Sequence, residues 1–395
     1  MTLAELAATV ALLAVLGLVA SRFGISAIPA YLLAGILLGP NDPDFIALIS
    51  PSEVTEFVAE IGLVFLLFFL GLEFSLGRLL RAGRHVALGG TVDLVVNLGI
   101  GLLVGLVAFG ASFGAVAIAV AIYVSSSAIV VKGLIDFRRL ADDETDLILA
   151  ILVFEDLMLA FLLGFVGSGG GGSGGETAAL IAKALAFVGL SLAASRWLAP
   201  LIDRALDRLA LEFFVLFVFG FLVGMAAIAE WMGISEAIGA LMAGVILSET
   251  SIRQEIEERF FSFRDLFAAL FFFVFALSID VSQISSVGWL LLLAVPLTIL
   301  GKVGAGFAAG AMGGLSERQS TNAGIALIAH GEFTIIVAEL AARSGALSPG
   351  DRSDLVAFAG LYVLATATIG IVLMKESKRI GRRVFAVPRL ERGAA

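Results

Sequence analysis

Apolar runs of near-spanning length recur from one end of this chain to the other. That recurrence constrains the fold more than any single motif. The runs lie near residues 3–21, 26–39, 54–73, 86–110, 113–133, 145–166, 177–198, 211–231, 235–249, 263–279, 286–312, 319–343 and 353–374. A helix needs roughly 20 apolar residues to cross a bilayer, whereas a barrel strand needs about 10 and alternates. These runs are continuous, so they read as about 13 transmembrane helices of an all-α polytopic membrane protein. Charged residues make up 15% of the chain, against about 25% in soluble domains.

Charge supports this count. With the N-terminus outside, alternate loops collect Arg22; Arg78, Arg81 and Arg84; Lys132, Arg138 and Arg139; Arg196, Arg204 and Arg208; Arg253, Arg259 and Arg264; and Arg318. The tail adds Lys375, Lys378, Arg379, Arg382, Arg383, Arg389 and Arg392. Only Lys183, Lys302, Arg343 and Arg352 fall elsewhere. Basic residues mark the cytoplasmic side, so a cytoplasmic C-terminus in a plasma-membrane protein is expected. The first run has no basic residues before it and no clear cleavage site, and reads as a retained helix. The chain has no cysteine and only His85 and His330, so thiolate and histidine-based metal sites are excluded. A net charge of −9 argues against a nucleic-acid partner. Residues 168–175 form a Gly/Ser-rich flexible loop, and 199–210 read as a short interfacial helix. Residues 376–395 form a short basic tail, and no soluble regulatory domain is expected after it.

Against this apolar background, two adjacent carboxylates stand out. Glu155 and Asp156 sit inside the sixth run, in Ile151-Leu-Val-Phe-Glu-Asp-Leu-Met158. An acid at membrane depth costs about 2.5–3.5 kcal/mol on insertion scales, so something positive must visit it. A structural ion pair is the plainer reading. On a helix the two side chains point about 100° apart, and they need not serve the same ion. Adjacent acids in a low dielectric resist double ionisation, and such a carboxylate can hold either a proton or a cation. Asp156 is the primary candidate for this exchange, with Glu155 as binder or modulator.

Lys302 is the only lysine deep in an apolar run, and the 155–156 pair is its evident counter-charge. It serves either as a structural neutraliser or as a group that releases an acid when a cation binds. Ser125, Ser126 and Ser127 interrupt the fifth run. Backbone opened in mid-membrane survives only inside protein or beside a cavity, and hydroxyls and carbonyls suit small cations. The alternative is helix–helix hydrogen bonding, but three consecutive serines cannot all face one neighbour. Gly331-Glu332 breaks the twelfth run beside His330, where Glu332 reads as a structural acid at a half-helix N-terminus. Runs five and twelve lie seven apart and so run in opposite directions. Two broken helices in inverted halves point to a transporter site. Asp93 and Asn97, at i and i+4, read equally as a proton path or as packing. Glu73 reads as an interfacial structural acid. Phe271–Phe273 and Phe275 face lipid or pack between helices.

Taken in order, these residues resemble the membrane domain of the monovalent cation:proton antiporter-2 family, the Kef-type and NapA-like exchangers. The carrying motifs are Tyr31-Leu-Leu-Ala-Gly-Ile-Leu-Leu-Gly-Pro40, Phe69-Leu-Gly-Leu-Glu73, Ser125-Ser-Ser-Ala-Ile-Val-Val-Lys132 and Glu155-Asp156. Ile238-Gly-Ala-Leu-Met-Ala-Gly-Val-Ile-Leu-Ser-Glu249, Phe272-Phe-Val-Phe-Ala-Leu-Ser-Ile-Asp280, Lys302 and Gly331-Glu-Phe333 complete the set. The resemblance implies an NhaA-like inverted repeat with two discontinuous crossed helices, a homodimer and an elevator mechanism. It implies a dimerisation part near 1–80 and 211–280, a transport core near 86–167 and 286–375, and a linker helix near 177–198. It also implies that Asp156 binds the cation and the proton, that Ser125–Ser127 help form the site, and that Lys302 pairs with an acid. Relatives often carry Asp-Asp, Asn-Asp or Gln-Asp where this chain has Glu-Asp, which leaves the charge balance of exchange open.

The expected function is therefore sodium or potassium/proton antiport serving pH homeostasis, with no cofactor beyond the transported ions. The alternative is a potassium efflux pathway gated by a separate subunit. An intramembrane aspartyl protease would need Tyr-Asp and Gly-x-Gly-Asp settings, which the chain lacks. A non-transporting sensor has no positive support.

Overall fold

The computed structural model describes residues 3–22, 27–39, 49, 52–73, 83–167, 169, 174–206, 211–233, 235–277, 279 and 284–384. Among these residues every regular element is a helix and none is a strand. The first helices are α1 (Leu3–Arg22), α2 (Ile28–Leu38), α3 (Glu53–Glu73) and α4 (Gly83–Phe109). The fifth run splits into α5 (Phe113–Tyr123) and α6 (Ser127–Asp136). There follow α7 (Thr145–Gly167), α8 (Gly174–Leu206), α9 (Leu211–Trp231), α10 (Glu236–Ser248), α11 (Arg253–Leu277) and α12 (Ile284–Met312). The twelfth run splits into α13 (Glu317–Ala326) and α14 (Glu332–Arg343), and α15 (Pro349–Val384) closes the described chain. Among the described residues eight spans are long and apolar enough to cross a membrane, one of them the broken stretch Phe113–Asp136.

Local chemistry explains several helix starts. Ser235 Oγ accepts the Ala237 amide at the start of α10, and Ser316 with Gln319 forms a capping box at the start of α13. Proline occupies the first turn of α2, where its missing N–H is harmless. The interfacial helix expected at 199–210 is not a separate element. Pro200 lies inside α8, which runs on to Leu206, because its charged positions continue the helical register of the run before it. Residues 207–210 and most of the Gly/Ser stretch 168–175 lie outside the described residues.

The helices pack in two groups. In one, α3 lies against α10 and α11, α11 against α2, and α9 against α10. The α3–α10 crossing is close because Gly71 and Gly244 face each other's helix; a Cβ on either would run into the opposing backbone. Phe271–Phe273 and Phe275 are buried here, so they pack between helices rather than facing lipid. In the other group, α4 packs on α5, α7 and α12, while α15 covers α12, α13 and α14. The groups meet through α7 against α10 and α15 against α2, with α8 touching both α7 and α10. Leu216, Trp231, Leu292 and Leu300 are exposed, as a surface bathed in lipid tails requires.

The two breaks meet in the second group. The Ser126 amide donates to Ala329 O at 2.8 Å, and Ser125 Oγ donates to Leu327 O at 2.9 Å. His330 Nε2 lies 2.8 Å from Ile122 O, and Thr334 Oγ1 donates to Ala121 O at 2.8 Å. Backbone groups freed by one break are thus satisfied by the other, which lets irregular chain persist in an apolar interior.

Candidate functional site

The serine run organises the site. Each of its three hydroxyls bonds a different carboxylate, drawn from two helices. Ser125 Oγ donates to Glu155 Oε1 at 3.0 Å, Ser126 Oγ to Glu332 Oε2 at 2.9 Å, and Ser127 Oγ to both oxygens of Asp156 at 3.1 Å. Extended backbone at Val124 and Ser126 turns successive side chains to different sides, as a continuous helix would not. Ser126 also caps α6 by accepting the Ile129 amide at 3.3 Å.

The adjacent acids are handled differently. Glu155 is fully buried; its Oε2 accepts the Ser125 amide at 2.6 Å and its Oε1 accepts Lys302 Nζ at 2.7 Å. Lys302, also fully buried, donates in addition to Asp93 Oδ2 at 3.1 Å and to Tyr123 O at 2.7 Å. Lys302 therefore pairs with Glu155 and with Asp93 rather than with the 155–156 pair as a unit. The 100° step along α7 turns Glu155 toward the lysine and Asp156 toward Ser127. Asp156 is only partly buried.

Asp93, read from sequence equally as a proton path or as packing, is an ion-pair partner of Lys302. Asn97 Nδ2 supports it by donating to Asp93 Oδ1 at 2.8 Å. A count of charges in the apolar runs was the available signal, because one lysine had several acids to answer. Glu332 opens α14, where the helix N-terminus favours an anion, and it faces a cavity. Glu73 ends α3, and its side chain lies outside the described residues. The sequence marks His330 only as a neighbour of the break. It is fully buried between Ile122 O and Ile328 O, both at 2.8 Å, and close to Tyr362, whose hydroxyl bonds Thr298 Oγ1 at 2.6 Å.

The cavity has a volume of about 680 Å³ and lies between the helix groups. Ser127, Lys132 and Glu332 line one wall, and Tyr31, Phe69 and Arg264 the other. Arg264 is held over the rings of Phe69 and Phe261, at 4.9 and 4.2 Å from their centroids. Of the serine-bound carboxylates Glu332 lines this cavity, and Ser127, which donates to Asp156, lines it too.

Carboxylates, hydroxyls and a buried lysine gather where two helices break, in a chain whose family and relatives are those of cation/proton antiporters. The chain belongs to the transmembrane sodium/hydrogen exchanger family, whose sequence profile matches residues 8–375. It is 41% identical to the K(+)/H(+) antiporter subunit KhtU of Bacillus subtilis, over 96% of this chain and 94% of that protein. It is 30% identical to the ammonium/H(+) antiporter subunit AmhT of Alkalihalophilus pseudofirmus, over 95% and 93% of the two chains. The sodium proton antiporter MjNhaP1 of Methanocaldococcus jannaschii has the same fold, with a TM-score of 0.70 at 17% identity over 96% of both chains.

Proposed function

We propose that this chain is a secondary active antiporter that exchanges a monovalent cation, potassium or sodium, for protons, with both ions competing for Asp156. The observation that carries this reading is the division of labour between the adjacent acids. Glu155 is saturated by a lysine, a serine hydroxyl and an amide, whereas Asp156 is partly exposed and held by Ser127 at the break. A carboxylate with oxygen ligands beside it accepts a small cation, and the same carboxylate accepts a proton. The identity to KhtU favours potassium.

The second helix group, with α4–α7 and α12–α15, is the proposed moving core, and the first is the proposed scaffold and dimer-forming part. Alternating access then follows an elevator path, with α8 as the linker. The protein sits in the plasma membrane with its N-terminus outside and its C-terminus cytoplasmic. Ser125, Ser126 and Ser127 shape the ion site, Lys302 holds Glu155 and Asp93, and Glu332, Asn97 and Glu73 support or modulate. A second reading, a potassium pathway gated by a separate subunit, is favoured by one observation: both relatives above are named as antiporter subunits.

The test is cation-induced proton movement in proteoliposomes. Wild type moves protons when potassium or sodium is added, and Asp156→Asn abolishes the response while remaining folded. Full exchange in that variant refutes the assignment. A potassium current uncoupled from pH selects the second reading.

A further inference from the structure

The two helix groups part around the cavity at one face and are tied together at the other. The tie centres on Arg343, the last residue of α14, the half-helix that begins at Glu332 beside the site. Arg343 Nη1 lies 2.7 Å from Glu60 Oε1 of α3 and 3.9 Å from Glu236 Oε1 of α10. Its Nε lies 2.6 Å from Glu339, one turn back on its own helix. Among the described residues the other salt bridges stay within one group or one helix, such as Lys302 with Asp93, Arg139 with Glu144, and Arg253 with Glu257. The pairs with Glu60 and Glu236 cross between the groups. At the same face α7 closes on α10, where a side chain at Gly167 would touch Ser235 and Ile238.

The orientation follows from α14 itself. Its 12 residues span about 18 Å at 1.5 Å per residue. Glu332 is at the cavity end and Arg343 at the far end. The cavity carries Lys132 of α6 and Arg264 of α11, both among the basic residues assigned to one side of the membrane, so Arg343 lies on the opposite side.

We infer that Arg343 is a positioning residue for exchange: a clasp that holds the face opposite the cavity closed and must release when the core moves. This rests on the alternating-access reading above. An ion pair at 2.7 Å does not survive a slide of several ångströms between its partners. One guanidinium faces three carboxylates here. Removing it leaves Glu60 and Glu236 on one group facing Glu339 on the other, and like charges push the groups apart. Arg343 is 32% exposed, so screening limits the effect to a shift in population, roughly three- to tenfold.

The chain has no cysteine, so a single introduced cysteine reports which face is open. Ala128, on α6 beside the cavity, is the reporter site. Ala128→Cys protein in liposomes of known orientation is labelled with a membrane-impermeant thiol reagent from either side. Cation-dependent proton movement is measured in the same vesicles. Arg343→Gln should raise the ratio of labelling from the Arg343 face to labelling from the cavity face by about three- to tenfold. Glu60→Gln should raise it less. Glu339→Gln, which breaks a pair within one helix, should leave it unchanged. Charge reversal in Arg343→Glu with Glu60→Arg should return the ratio toward that of the parent.

An unchanged ratio in folded, transporting Arg343→Gln protein overturns the clasp and leaves Arg343 as a helix-end residue. An equal response to Glu339→Gln also overturns it. Wild-type protein in the same vesicles with no cation-dependent proton movement refutes the exchanger reading, and the clasp with it.

Discussion

Replacing Lys302 by methionine removes one cation from a site that holds it by three contacts and shields it completely from solvent. Lys302 Nζ lies 2.7 Å from Glu155, 3.1 Å from Asp93 and 2.7 Å from Tyr123 O. Methionine fills nearly the same space, so the loss is electrostatic rather than one of packing. Removing one partner of a buried ion pair costs about 3–5 kcal/mol, because the remaining charge is stranded. Here two carboxylates are stranded, and both must take up protons or water. Glu155→Gln alone leaves the lysine paired with Asp93 and should cost about 1–3 kcal/mol. The double variant should cost at least about 2 kcal/mol less than the sum of the single changes, because methionine then strands one carboxylate rather than two. The assay is unfolding of purified protein in one lipid–detergent mixture, followed by tryptophan fluorescence for all four members of the cycle. Additivity within about 0.5 kcal/mol, or a Lys302→Met protein as stable as wild type, would refute the reasoning that the triad is held by the lysine's charge.

Two further outcomes follow from close contacts. Gly331→Ala places a Cβ about 2.6 Å from Ser126 Oγ, and should displace the Ser126–Glu332 bond and slow exchange at least severalfold. Transport assays check this, and Ser126→Ala on top of it should restore part of the rate by vacating that space. Arg139→Gln strands Glu144, which lies 3.1 Å from the guanidinium, and removes the bond to Ser377 at 2.9 Å. The loss should be about 3–5 kcal/mol, measured by unfolding, and Glu144→Gln should recover part of it.

The all-helical, membrane-spanning character was legible because a chain that crosses lipid must be apolar for a fixed length, whatever it packs against. The two breaks were legible for the complementary reason. Consecutive serines and a Gly-Glu pair at membrane depth need irregular backbone, and each marks a place where one run holds two helices. Partners across the bundle were harder to read. An amphipathic helix announces its buried face, but α4 and α7 are apolar nearly all round, so no stripe says which way Asp93 or Glu155 points. Arg139 was counted as a loop charge favouring the cytoplasm. Its burial against α15 depends on Ser377 and Met374 O, far along the chain and without local signal. The end of α8 was not legible, because its charged residues suggest a boundary while the helical register continues through them to Leu206.

Glu155 and Asp156 gain their distinction from the break rather than from their own helix. Adjacent positions on α7 share nearly the same depth and the same apolar surroundings. Ser125 and Ser127, two residues apart on extended chain, approach those acids from different sides, and only the Ser125 side holds Lys302. A lysine 2.7 Å from Glu155 supplies that acid with a permanent internal cation, which an ion from solution would have to displace. Asp156 has a hydroxyl in that position, and a hydroxyl can donate to the carboxylate or turn and offer its oxygen to a metal ion. The proposed exchange at Asp156 leaves the Lys302–Glu155–Asp93 triad intact, whereas exchange at Glu155 would require breaking the triad that holds α4, α7 and α12 together.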